Sequence, residues 1–212
     1  MVRVLCILIA LAACAKKESA RQLDKDLIRF TSDARLRTDT VGSGRHTDTA
    51  TFVLVEAENT STEGAYVTLG GELANEQGTT IGELRAQSLW IPAGELRTFA
   101  LVDKQRKPRP EARAAKIYVR GAQVPTSPPP ASVEGIRQIE DGDKIVVQGV
   151  VKNTAERGGD LMVIATFYGP DGKPMTRPFS MIWVAAHGEQ PVQFVGPAGS
   201  TRGTIFIGDL VY

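Results

Sequence analysis

Apolar residues come in short, β-branched runs broken by Gly, Pro, Asn or Asp along most of the chain. Val67, Leu69, Gly71 and Leu73 alternate with Thr68, Gly70 and Glu72. A period of two with one polar side marks a strand buried on one face. Leu161, Val163, Ala165 and Phe167 show the same spacing. Turn chemistry separates the runs. Gly169-Pro170-Asp171-Gly172 combines a proline that presets φ with residues that tolerate the remaining angles, and Asn75 to Gly78 fills the same place earlier. Short strands at this spacing predict an all-β fold built of small antiparallel β-sandwiches.

The pattern occurs twice. Asn59-Thr60 returns as Asn153-Thr154, Gly78 as Gly172, and Gly94-Glu95 as Gly188-Glu189, each 94 positions on. Later the offset shortens: Ile117-Tyr118-Val119 returns as Ile205-Phe206-Ile207, 88 positions on, so the first copy carries extra residues around 104–113. Between the copies, four prolines fall within residues 124–132. A core strand would not tolerate them, and they favour an extended, semi-rigid spacer. The expected organisation is two tandem sandwiches, copy 1 at 34–123 and copy 2 at 133–212, joined by a linker at 124–132. Residues 14–33 read as a tether, with a short helix through Leu23, Leu27 and Phe30 as the alternative.

The start of the chain follows a different rule. Arg3 precedes an apolar run from Val4 to Ala13, ten residues long. A spanning helix needs roughly 20, so the run suits a signal peptide instead. Leu11-Ala12-Ala13-Cys14 resembles the lipobox of bacterial lipoproteins. That resemblance implies cleavage after residue 13 and attachment of lipid, including an amide-linked acyl chain, at Cys14. Several acyl chains give stable anchoring where one is marginal. Ala15 in place of aspartate implies, for a Gram-negative source, sorting to the outer membrane.

Copy 2 carries a second resemblance. Val147 to Thr154, then Val163 to Lys173 with Phe167-Tyr168, then Gly188-Glu189 and Phe194, resemble the FxLYD-like modules of bacterial surface proteins and lipoproteins. The resemblance implies an immunoglobulin-like sandwich and no single defined activity. Copy 2 departs from the pattern at Gly169-Pro170, and copy 1 lacks the Phe-Tyr pair.

Composition narrows the function classes. The 212 residues include 25 basic and 24 acidic side chains, a balance that gives no support to a nucleic-acid binder. Two cysteines and two histidines nearly exclude a disulfide scaffold or a structural zinc site. On the lipoprotein reading Cys6 leaves with the signal and Cys14 is capped, so no thiol remains for catalysis.

Candidate chemistry is sparse. His46 lies in a Gly- and Ser-rich stretch, and His187 in a turn whose copy 1 counterpart is Ala93, so neither is expected to catalyse. Gly42 to Arg45 lacks the following helix that a phosphate-cradling loop requires. Glu56 and Glu58 become Val150 and Lys152 in copy 2. Trp90 and Trp183 read as core residues, and Asn59 and Asn153 as strand ends closed by side-chain bonds to backbone.

Two interaction candidates remain. Lys104, Arg106, Lys107 and Arg109 lie in a basic, Pro-containing segment that only copy 1 has, suited to anionic headgroups or an acidic partner. Met162, Ile164, Thr166 and Tyr168 occupy a face that in copy 1 reads Thr68, Gly70, Glu72 and Ala74. A face polar in one copy and apolar in the other suggests a covered surface, the cover being copy 1, the tether or another protein. The expected function is a membrane-anchored envelope protein, non-catalytic and without cofactor, metal or small-molecule substrate. It would present interaction modules to an envelope protein or to itself. A structural or accessory subunit of an envelope assembly or secretion complex is the alternative.

Overall fold

The computed structural model describes residues 20–41 and 47–211. Apart from one 3-10 turn at Lys25–Leu27, the regular elements are β-strands. They are β1 (Arg21–Gln22), β2 (Ile28–Phe30), β3 (Arg35–Val41), β4 (Asp48–Asn59), β5 (Ala65–Ala74), β6 (Thr80–Ile91), β7 (Leu96–Val102) and β8 (Ala114–Val124) in the N-terminal half. The C-terminal half holds β9 (Ala131–Asp141), β10 (Lys144–Asn153), β11 (Gly159–Tyr168), β12 (Pro174–Thr176), β13 (Phe179–Val184), β14 (Glu189–Val195) and β15 (Arg202–Val211).

These form four antiparallel sheets. Sheet A has the order β1-β8-β5-β6, and in sheet B β4 is flanked by β2 and β3 on one side and β7 on the other. Sheet C is β14-β10-β9, and in sheet D β11 is flanked by β12 and β13 on one side and β15 on the other. Val67, Leu69 and Leu73 of sheet A share one core with Val53, Val55 and Phe99 of sheet B. Leu161, Val163 and Phe167 of sheet D share a second core with Val147 and Val151 of sheet C. The protein is all-β, and the alternating residues predicted to face inward do so.

The two halves repeat one pairing scheme. Gly71 pairs with Ile117 and Ala165 with Ile205, which matches the 88-residue offset. Tyr66 pairs with Trp90 and Asp160 with Trp183, so the two tryptophans are equivalent although their offset is 93. Glu56 pairs with Thr98, and Val150 with Pro191, at the same shortened offset. The second half therefore has one residue fewer before β13, and the sequence match of Gly94-Glu95 with Gly188-Glu189 is not the structural one. Gly94 and His187 both hold positive φ, 70° and 51°, in equivalent turns.

Three expectations are corrected. Residues 21–30 are not a free tether: β1 pairs with the end of β8, β2 pairs with the end of β4, and Leu23 and Ile28 are buried in the first core. The segment between the halves is shorter than 124–132, because Val124 completes β8 and Ala131 opens β9. Trp183 is not a core residue: it is 64% exposed, and Trp90 is half-buried. Each ring lies over a glycine: a Cβ on Gly64 would sit 2.3 Å from Trp90, and one on Gly158 2.7 Å from Trp183. The rings cap a strand start from outside the core.

Asn59 and Asn153 show why the Asn-Thr pair recurs. Asn59 Nδ2 donates to the carbonyls of Glu63 and Ile91, at 2.7 and 3.0 Å. Asn153 Nδ2 donates to Arg157 and Ala185, at 2.9 and 3.0 Å. The Oδ1 atoms accept from the backbone N–H of Ser61 and Ala155. Thr60 and Thr154 each bond by backbone and hydroxyl to the incoming chain, at Leu27 and Pro130. Both asparagines are buried, so these bonds satisfy carbonyls that water cannot reach.

Candidate functional site

Cys14, the expected lipid attachment point, lies outside the described residues, as do Gly42 to His46. Among the described residues no helix is long and apolar enough to cross a membrane.

The basic segment between β7 and β8 is pinned by acids of its own half. Lys104 Nζ lies 2.6 Å from Glu83 Oε2, and this hydrogen bond holds the Glu83 carboxyl below the usual range. Arg106 Nε lies 2.7 Å from Asp48 Oδ2, with Arg106 at φ 54°. Arg109 Nε donates to Asp103 Oδ2 at 2.8 Å, and Asp103 is fully buried. Asp103 also accepts from the Gln105 N–H, and Thr51 Oγ1 accepts from the Arg109 N–H. Of the four expected cations, three are neutralised by carboxylates, and Lys107 is exposed without an ion pair among the described residues. The sequence reading missed Asp103, which sits at the end of an apolar strand and anchors the whole connection.

The apolar face of β11 is covered, and the cover is the N-terminal half. Ile164 and Phe206 join the first core cluster, with Met162 packed against it. Ile164 and Tyr168 are buried, so in this arrangement they are not open to a partner protein. The Tyr168 hydroxyl lies 3.3 Å from that of Thr98, which also donates to the buried Glu56 carboxylate at 3.4 Å. Burial, with the nearby Glu56 charge adding to it and the Thr98 hydrogen bond opposing it, pushes the Tyr168 phenol up to about 12. Arg202 covers one face of the ring, its guanidinium carbon 3.8 Å from the centroid. Arg97, paired with Glu95 at 2.7 Å, stands over Phe206 at 5.0 Å.

Beside this contact runs a cleft of about 740 Å³ between sheet B and the β12–β13 side of sheet D. Its apolar wall includes Phe52, Leu54 and Phe179, and its cations are Arg35, Arg37 and Arg177. All three guanidinium groups reach across to backbone carbonyls of the other half. Arg35 Nη1 donates to Pro174 O at 3.3 Å, Arg37 Nη1 donates to Met175 O, and Arg177 Nε donates to Thr98 O at 2.6 Å. None of the three has an ion pair among the described residues. Arg177 Nη2 is closed from solvent and has no hydrogen-bond partner there. Burial pulls the Arg177 guanidinium down to about 9, which leaves it charged at neutral pH. Asp39 is the one carboxylate among the cleft-lining residues. In the sequence, Arg35 and Arg37 were visible two apart on one strand face; nothing signalled that Arg177 would join them from 140 positions away.

On the outer face of sheet D, Phe179, Met181 and Trp183 form an exposed row along β13. They are in register with Ile164, Met162 and Asp160, so the row continues the face that the N-terminal half covers. Within sheet D, β13 pairs with β11 alone, leaving its other edge without a strand. His187 Nε2 lies 3.2 Å from Glu156 in an exposed turn, and no nucleophile is placed against it. Among the described residues no group of three His, Cys, Asp or Glu side chains is arranged to hold a metal.

No family model and no curated protein matches the chain. Among solved structures it is similar to red sea bream transglutaminase at 14% identity and a TM-score of 0.24, over 84% of this chain and 29% of that one.

Proposed function

We propose that the protein is a lipid-anchored, non-catalytic component of the bacterial envelope that presents two immunoglobulin-like β-sandwich modules to a protein partner. The observation that carries this reading is the exposed row Phe179, Met181 and Trp183 on an edge strand. Edge strands with bare apolar side chains invite pairing with another chain, and soluble proteins normally protect them. Strand addition at β13 would give main-chain hydrogen bonds from the free edge and side-chain contacts from this row. The resemblance of Leu11-Ala12-Ala13-Cys14 to a lipobox supports the reading from the sequence side. The alternative of a permanent assembly subunit drew on the apolar face of β11, and that face is occupied by sheet B of the same chain.

Two measurements test the proposal. Cys14→Ser should move the protein from the membrane fraction to the soluble fraction, and unchanged fractionation would remove the anchor. A photo-crosslinking residue at position 183 should trap an envelope protein in intact cells, while the same residue at exposed Lys116 should not. Equal adducts at both positions, or none at 183, would overturn the presenting role of β13.

A further inference from the structure

The inter-half cleft gathers three arginines, none of them bonded to an acid among the described residues. Several cations elsewhere meet acids: Arg21 with Glu63, Arg29 with Glu58, Lys152 with Glu134 and Glu189. Arg35, Arg37 and Arg177 donate to carbonyls and to no acid, Arg177 also standing 5.9 Å from the Phe206 ring centre, with Asp39 alone to offset three positive charges. Asp39 Oδ1 accepts from the Thr40 N–H. A guanidinium offers five donors in a planar fork that matches carboxylate and phosphate oxygens. Each of these three uses one donor across the cleft, and Nη2 of Arg177 is left without a partner. Like charges gathered beside apolar side chains repel one another less when an anion lies among them. Phe52 and Leu54 stand directly beside Arg37 and Arg35 in sheet B, and Phe179 lies near Arg177 on the other half, so apolar side chains flank the arginines on both sides of the cleft. The volume, about 740 Å³, falls within the range of small-ligand sites.

We propose that this cleft binds a single-chain amphiphile with an anionic head, the head held by Arg35, Arg37 and Arg177 and the chain lying along Phe52, Val102 and Phe179. The proposal does not depend on lipidation of Cys14 or on pairing at β13. It assigns a small-molecule ligand where the sequence suggested none, because the three arginines come from two distant segments.

The test uses the full chain carrying Cys14→Ser, which takes no lipid, and isothermal titration below the micelle concentration of each probe. Octyl phosphate and octanoate should bind at least about tenfold more tightly than octanol or inorganic phosphate, the loss expected when a charge-assisted bond or the chain is missing. The ratio of the first two distinguishes a phosphate from a carboxylate head. Arg35→Gln with Arg37→Gln should weaken octyl phosphate by about tenfold or more and leave octanol unchanged, whereas Lys107→Gln should change neither. Methyl resonances of Met162 and Met175, which line the cleft, should shift on binding, and that of Met181 should not. This second readout holds even if the double variant folds poorly. Equal affinity for octanol and octyl phosphate would overturn the proposal. So would insensitivity to the arginine pair, or displacement of octyl phosphate by hexaglutamate at equal concentration.

Discussion

Asn59 and Asn153 do the same work in two places: each satisfies buried carbonyls on both sides of a turn while its threonine neighbour ties down the incoming chain. Replacing a buried donor leaves its partners unsatisfied, which costs about 1–3 kcal/mol. Asn153→Ala should lower the denaturation midpoint accordingly, and Thr154→Ala, at an exposed hydroxyl, by less. Tyr168 makes a second statement at this scale. Its phenol is raised from 10 to about 12, chiefly by burial. The unfolded chain therefore loses this proton at lower pH than the folded one. The stability associated with the neutral phenol is complete below pH 10 and falls as pH rises from 10 through 12. Alkaline unfolding followed by circular dichroism should show this slope, and Tyr168→Phe should flatten it.

At the level of elements, equivalent positions carry different duties. Tyr118 of β8 and Phe206 of β15 hold matching places beside β5 and β11, yet Tyr118 is 42% exposed and Phe206 4%. The difference is the N-terminal half lying over sheet D. Fully burying a large apolar side chain is worth about 1.5–3 kcal/mol, so Ile164, Phe206 and Tyr168 together hold the halves firmly. Phe206→Asp should part them and enlarge the radius of gyration in small-angle scattering, whereas Tyr118→Asp should leave it unchanged. The covered face was legible in the sequence because Met162, Ile164, Thr166 and Tyr168 stand where the first copy has Thr68, Gly70, Glu72 and Ala74. Alternation and repeat likewise revealed the strands and their inward residues. What covers the face was not legible, since that depends on the path of the connection and on Arg97, Thr98 and Arg177 meeting across it. The basic segment misled for a related reason: Glu83 and Asp48 come from other strands, and Asp103, although next to Lys104 in sequence, is fully buried where it holds Arg109. Trp183 misled because hydrophobicity alone does not say whether a large ring fills a core or caps a glycine at its edge.

Seen whole, the molecule places its connections at one side. Arg21 pairs with Val124, Thr154 bonds Pro130, and Val211 pairs with Asp160, so the incoming chain, the connection between halves and the last strand gather at the two Asn-Thr ends. Residues 125–130 reach at most about 20 Å, which keeps those ends adjacent and lays the halves alongside each other. A short link of this kind sets an effective concentration in the millimolar range for the contact between them. The halves need only a weak intrinsic affinity to stay together, one that would not hold them as separate chains at cellular concentrations. With Ile164, Phe206 and Tyr168 buried in it, the contact stays closed within the single chain. It closes at a rate independent of protein concentration. At high concentration two chains can satisfy it by exchanging halves, giving a domain-swapped dimer with the same interface and no new contacts.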